Sequence, residues 1–164
     1  MKKVILIGFA ACYKTSVGSL LASRLGCAFV DTDKEIERLC NKSVQQIFET
    51  NGEEYFRERE SQLLRMLNSE NTVVACGGGS VLSPDFDTFS KDSIVICLTA
   101  SAQTVYSRLG GVCRPLFDGL TVEQLHNYMQ KRAPLYNKYA QSIFSTDNKT
   151  PEQVTEQILD CMFS

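Results

Sequence analysis

The fold class the sequence predicts is α/β: one domain over residues 1–164, with a five-stranded parallel sheet and helices on both of its faces. Three observations carry that expectation. Short apolar runs rich in β-branched residues alternate with longer stretches of helical periodicity, the order that sets crossover helices between parallel strands. Glycines and carboxylates follow the runs directly, at the strand ends where ligands bind in such sheets. A chain of 164 residues, 43% hydrophobic and 22% charged, also suffices for one buried core.

The elements follow in order. "KKVILIG" is a fully buried parallel strand ended by Gly8. Val17, Leu20, Leu21 and Leu25 then repeat at helical spacing until Gly26 stops the helix. "CAFVDTD" is a second buried strand that delivers Asp31 and Asp33 at its C-terminal end, completing a βαβ unit. The polar stretch from Lys34 to Asn71 predicts two helices around a turn at Asn51-Gly52. "TVVAC" before Gly77-Gly78-Gly79 is a third strand and "DSIVICL" a fourth. A helix from about Ser101 ends at Gly110-Gly111, and "GGVCRPLFDGLT", with Arg114 in it, predicts a mobile loop. Val122 to Tyr139 reads as helix interrupted by Pro134, and "QSIFST" as a fifth strand. "TPEQVTEQILDCMF" opens a last helix with Thr150 as N-cap and Pro151 at the first helical position.

Several classes of function are not expected. A net charge of -2 offers no field to gather nucleic acid or an anionic membrane, and no stretch has the apolar length of a membrane span. "MKKVILIGFAAC" has the outline of a lipoprotein signal with Cys12 as its lipidated residue, yet its apolar part is shorter than the roughly 7–15 residues of a secretory h-region. The loop and helix after Cys12 would also lose their strand. The seven cysteines, odd in number and without a C-x-x-C pair, read as cytosolic thiols, and His126 alone predicts no zinc site. A cytoplasmic monomer is expected.

The chemistry concentrates at the strand ends. In "GFAACYKTS", Gly8, Lys14 and Thr15 have the outline of a phosphate-binding loop, with Ala11, Cys12, Tyr13 and Ser16 completing it. Backbone N–H groups and the positive end of a helix dipole would face an anion there, with the Lys14 ammonium beside it and the Thr15 hydroxyl placed to hold Mg²⁺. Asp31 and Asp33 point to one side of a strand end, where one could organise the metal and the other accept a proton from a substrate hydroxyl. Either could instead cap the next helix. Gly77-Gly78-Gly79 is a flexible turn or a place where backbone meets a ligand closely. Arg57, Arg114 and Arg132 each also read as solvated side chains.

Taken in order, "GFAACYKTSVG", "DTD", "GEEYFRERE", "GGGSV", "RPL" and "KRAPLY" resemble the motif set of the shikimate kinase family, and they span Gly8 to Tyr136. The resemblance implies a P-loop three-layer sandwich of the nucleoside monophosphate kinase type. It implies a substrate-binding helical region near residues 33–60 and a lid near 109–122. The implied reaction moves the γ-phosphoryl of ATP, with Mg²⁺, to the 3-hydroxyl of shikimate, a step toward chorismate and the aromatic amino acids. Asp33 would take the attacking hydroxyl, and Arg57 and Arg132 would hold the shikimate carboxylate. Gly77, Gly78 and Gly79 would lie against the ring hydroxyls. Arg114 would close with the lid onto the phosphates, Asp31 would act with Thr15 on Mg²⁺, and Arg108 would lie over adenine.

The family loop reads roughly G-x-x-G-x-G-K-[ST], and here Ala11 and Tyr13 replace its second and third glycines. A Cβ in a left-handed backbone costs roughly 1–2 kcal/mol, about one decade of ATP affinity. Three readings follow. The ring swings outward and the chain is a kinase, the loop is closed and the chain only binds shikimate, or another small-molecule kinase shares the architecture.

Overall fold

The computed structural model describes residues 1–110 and 116–164; Gly111 to Pro115, Arg114 among them, lie outside the described residues. The order of elements is β1 (Val4–Ile7), α1 (Lys14–Leu25), β2 (Ala28–Asp31), α2 (Thr32–Cys40), α3 (Val44–Met66), β3 (Thr72–Ala75), a 3₁₀ turn (Ser80–Leu82), α4 (Phe86–Ser90), β4 (Ile94–Thr99), α5 (Ala102–Leu109), α6 (Val122–Tyr139), β5 (Ser142–Ser145) and α7 (Pro151–Phe163). The five strands form one parallel sheet in the order β2-β3-β1-β4-β5. Ile5 stands between Val74 and Val95 at its centre.

All four residues of β1 are buried, and successive side chains of a strand point to opposite faces, so both faces of the sheet must be covered. Helix α1 packs with α7 and against β2 and β3, whereas α6 packs with α5 and against β4. The predicted three-layer α/β architecture is the observed one. The N-terminal lysine pair also has a structural use: Lys3, 7% exposed, donates from Nζ to the carbonyls of Leu67 and Phe89, which ties the start of β1 to the ends of α3 and α4.

Four details differ from the sequence reading. Strand β2 is an edge strand and is half-exposed, because only β3 pairs with it. The turn in the polar stretch lies at Asn41 to Ser43, while Gly52 is a kink inside α3. The missed signal was S-x-x-Q: Ser43 and Gln46 form a capping box, as do Thr121 with Gln124 and Thr150 with Gln153. Pro134 does not interrupt α6, whose inward face holds Leu125 and Tyr136 in the core and so offsets the cost of the lost N–H. The 3₁₀ turn and α4, three and five residues long, are too short to show a period.

A second apolar cluster, Ile36, Ile47, Phe56 and Leu63, is separate from the sheet's core and sits where α2 packs on α3. It lets these helices stand beside the sheet's C-terminal edge with a wall of their own.

Candidate active site

Everything at the C-terminal edge starts from how β1 ends. Gly8 has φ 140°, and a Cβ there would run into the Leu98 carbonyl of β4, so only glycine lets the chain leave the sheet at this point. The loop then winds into α1. Ala11 and Tyr13 have φ 58° and 66°, so the two positions that lack the family's glycines are both left-handed. Tyr13 is the N-cap of α1 and makes no side-chain cap hydrogen bond. The loop thus has the backbone of a glycine loop in spite of its side chains, at roughly 1–2 kcal/mol for each.

The Tyr13 ring is partly buried. It packs against the core, with the Arg108 guanidinium carbon 3.7 Å from its centroid. Arg108 in turn donates from Nη1 to the Ala11 carbonyl at 2.9 Å. A cleft of about 460 Å³ remains beside the loop, lined by Ala11 through Ser16 together with Asp31 and Asp33. Lys14 reaches back across the loop, its Nζ donating to the Phe9 carbonyl at 2.7 Å. Cys12 is 1% exposed, and burial pushes its thiol up against the pull of Lys14 and Arg108, so the helix N-terminus holds a neutral thiol there.

On the cleft's far wall the Thr15 hydroxyl donates to Asp31 Oδ2, while Asp31 Oδ1 accepts from the backbone N–H of Lys34 at 3.1 Å. Asp31 therefore caps α2 and faces the loop at once. A hydroxyl and a carboxylate are the hard oxygen donors Mg²⁺ takes, and among the described residues no cluster of three or more metal-binding side chains exists. Asp33 lies not on the strand but in the first turn of α2, so it reaches the cleft by helix geometry and not by strand alternation.

A second pocket, about 80 Å³, adjoins the first and shares Ala10, Asp33, Val44, Gly77 and Gly78 with it. Arg57 from α3 and Arg132 from α6 line it, with Phe9, Phe48, Phe56 and Phe117 as its apolar walls. Arg57 is fixed by Glu60, 1% exposed, which accepts from Arg57 Nη1 at 2.9 Å and from Ser80 Oγ at 2.8 Å. Burial alone would lower the pKa of Arg57, but Glu60, Glu53 and Asp33 outweigh it and hold the guanidinium charged. The glycine turn is pinned from two sides: its Gly78 carbonyl accepts from Arg132 Nη1 at 2.8 Å and from Tyr136 Oη at 2.6 Å, and its Gly77 N–H donates to Thr32 Oγ1 at 2.9 Å. A Cβ on Gly77 would sit 2.5 Å from Asp33 Oδ1, and one on Gly79 2.5 Å from the Arg57 guanidinium carbon. Close approach is what these glycines provide.

Of the residues singled out in the sequence, Asp33, Arg57, Gly77, Gly78, Gly79 and Arg132 meet at the smaller pocket, and Ala11 to Ser16, Asp31 and Asp33 meet at the larger cleft. Gly8 lies at the loop's start and Arg108 under Tyr13. Arg114 lies outside the described residues. Glu60, Ser80, Thr32 and Tyr136 were missed. The i,i+3 spacing of Arg57 and Glu60 was a visible signal, although it looks the same in a solvated pair.

A parallel sheet with a phosphate loop between β1 and α1, and two adjoining pockets across its C-terminal edge, defines a P-loop kinase. The deoxyadenosine kinase from M. mycoides with bound dATP shares the fold at a TM-score of 0.67 and 14% identity over 100% of both chains. The family model for shikimate kinase matches residues 10–163. The chain is 38% identical to a shikimate kinase from Thermodesulfovibrio yellowstonii over 163 residues, 97% of this chain and 94% of that protein. Shikimate kinase from Acinetobacter baumannii in complex with shikimate superposes at a TM-score of 0.93 with 31% identity, covering 99% of this chain and 93% of that one. This chain belongs to the shikimate kinase family. Among its described residues no helix is long and apolar enough to cross a membrane.

Proposed function

We propose that this protein transfers the γ-phosphoryl group of ATP to the 3-hydroxyl of shikimate, acting in the cytoplasm as a monomer. The observation that carries the reading is Asp33, which stands in the wall common to the arginine pocket and the loop cleft. A base at that boundary touches the acceptor hydroxyl on one side and faces the phosphoryl donor on the other.

Arg57 and Arg132 match the planar carboxylate of shikimate with forked N–H donors, and the turn at Gly77 to Gly79 lets its ring approach the backbone. Asp33 accepts the proton of the 3-hydroxyl as that oxygen bonds to phosphorus; the bond from phosphorus to the β-γ bridging oxygen breaks and ADP leaves. Loop N–H groups from Ala11 to Ser16 and the Lys14 ammonium hold the phosphates. Thr15 and Asp31 would hold Mg²⁺, which neutralises charge on the transferring group. Residues 33–60 form the substrate-binding region around the separate apolar cluster, and 109–122 the lid, of which Leu116 and Phe117 line the pocket. Arg114 is assigned to the phosphates on its sequence position alone.

The open cleft beside a left-handed Tyr13 supports the kinase over a module that only binds shikimate. Calorimetric titration with MgATP and with shikimate, then a coupled ADP-release assay with both, tests this. Both ligands are expected to bind, with ADP release dependent on shikimate; phosphorylation of gluconate or a nucleoside monophosphate in preference would sink it. A Gly79→Ala variant is expected to raise the KM for shikimate roughly 5- to 150-fold, the 1–3 kcal/mol of an overpacked contact against Arg57, while the KM for ATP stays within about threefold, since Gly79 is absent from the loop cleft.

A further inference from the structure

Ala11 and Tyr13 are the two strained residues of the phosphate loop, and one side chain touches both. Arg108 holds Ala11 by its carbonyl, through Nη1 at 2.9 Å, and Tyr13 by its ring, at 3.7 Å from guanidinium carbon to centroid. The same guanidinium is anchored behind the loop. Nη1 also donates to Thr146 Oγ1 and Nη2 to the Thr146 carbonyl, each at 2.9 Å. Thr146 is fully buried and is itself fixed to the end of β4, its N–H and hydroxyl donating to the Thr99 carbonyl at 2.8 and 2.9 Å. A rigid line therefore runs from the sheet through Thr146 and Arg108 to the loop. Cys12, between the two strained residues, is part of the buried core.

We propose that Arg108 is a positioning residue that holds the tyrosine-bearing loop in its phosphate-binding form before the nucleotide arrives. The proposal rests on the kinase reading above and deepens it. With glycine at position 13 the left-handed backbone carries no steric penalty there, and the brace loses most of its use. Arg108 and Tyr13 should consequently be coupled, since side chains in direct contact do not act additively.

A four-protein cycle tests this: the unaltered chain, Arg108→Met, Tyr13→Gly and the double variant. The readouts are MgATP affinity by calorimetry without shikimate, amide exchange of residues 8–16 without nucleotide, and shikimate affinity as a control on folding. Arg108→Met is expected to weaken MgATP binding roughly tenfold and to speed loop exchange in the parent, yet to change either by less than about threefold in the Tyr13→Gly background, with shikimate affinity unchanged throughout. An equal loss in both backgrounds would assign Arg108 to the nucleotide itself and overturn the proposal, as would no loss in either. MgATP binding by Tyr13→Gly but not by the parent overturns it while the kinase fold of the loop stands; no binding by either removes the kinase reading along with it. Should Arg108→Met not fold, Arg108→Lys, which keeps the charge and stem but not the fork, carries the same cycle.

Discussion

Asp33→Asn is expected to lower kcat by about 10²–10⁴-fold, the usual contribution of a positioned general base, with the KM for shikimate and for ATP each within about fivefold of the parent. The substitution keeps the shape of the side chain and removes its capacity to take a proton. Shape matters because Asp33 is packed tightly: a Cβ on Gly77 would already lie 2.5 Å from its Oδ1, so a larger residue would displace the glycine turn and confuse binding with chemistry. Asp31 is not placed to take over, because it lines the loop cleft and is absent from the lining of the arginine pocket. Steady-state kinetics by coupled ADP release, with calorimetry to show that Asp33→Asn still binds shikimate, checks the result. A kcat within tenfold of the parent would mean that positioning and charge neutralisation alone drive the transfer and that Asp33 only orients the hydroxyl.

How much of this could be read beforehand depends on how local each signal is. The five strands and the phosphate loop were legible because an apolar run, a glycine and a lysine followed by threonine are all written within a dozen residues. Asp31 was legible as a helix cap, and it caps α2 through the Lys34 N–H while accepting from the Thr15 hydroxyl. What joins distant segments was not legible. Arg132 and Gly78 are 54 positions apart, and Arg108 and Ala11 are 97 apart, so nothing in the spacing shows that either pair meets. Tyr13 illustrates the same limit from the other side. Its substitution for glycine was plain, and so was its cost, but the Arg108 side chain against its ring comes from α5 and meets it only once the sheet has brought β4 beside β1.

Glu60 was hidden for a different reason, and it carries the second large effect. Arg57 and Glu60, three residues apart in "FRERE", have the same spacing as Arg38 and Glu35, a pair largely in solvent. Burial separates them: the Glu60 side chain is 1% exposed and that of Arg57 25%, while the Arg38 side chain is 68% exposed. An exposed pair contributes at most about 1 kcal/mol, but removing one member of a buried pair costs about 3–5 kcal/mol because the other charge stays behind. Glu60→Ala would take from the Arg57 guanidinium the closest of its charge partners, leaving the 3.5 Å pair with Glu53, and would strand the hydroxyl of fully buried Ser80. It is therefore expected to lose about 3–5 kcal/mol of folding stability, read as a lower urea midpoint at unchanged slope. It is also expected to raise the KM for shikimate, since Arg57 then keeps only the longer, 3.5 Å ion pair to the half-exposed Glu53 to aim it into the pocket. Glu60→Gln separates the two consequences. Glu60 accepts from Arg57 through Oε1 and from Ser80 through Oε2. In Glu60→Gln the amide oxygen can keep the Arg57 bond while the NH2 donates to the Ser80 hydroxyl, so most of the stability should return, whereas the lost charge leaves Arg57 held by a weaker, neutral acceptor. A Glu60→Gln protein with parental shikimate KM would show that Glu60 serves the fold alone and that the pocket aims Arg57 without it.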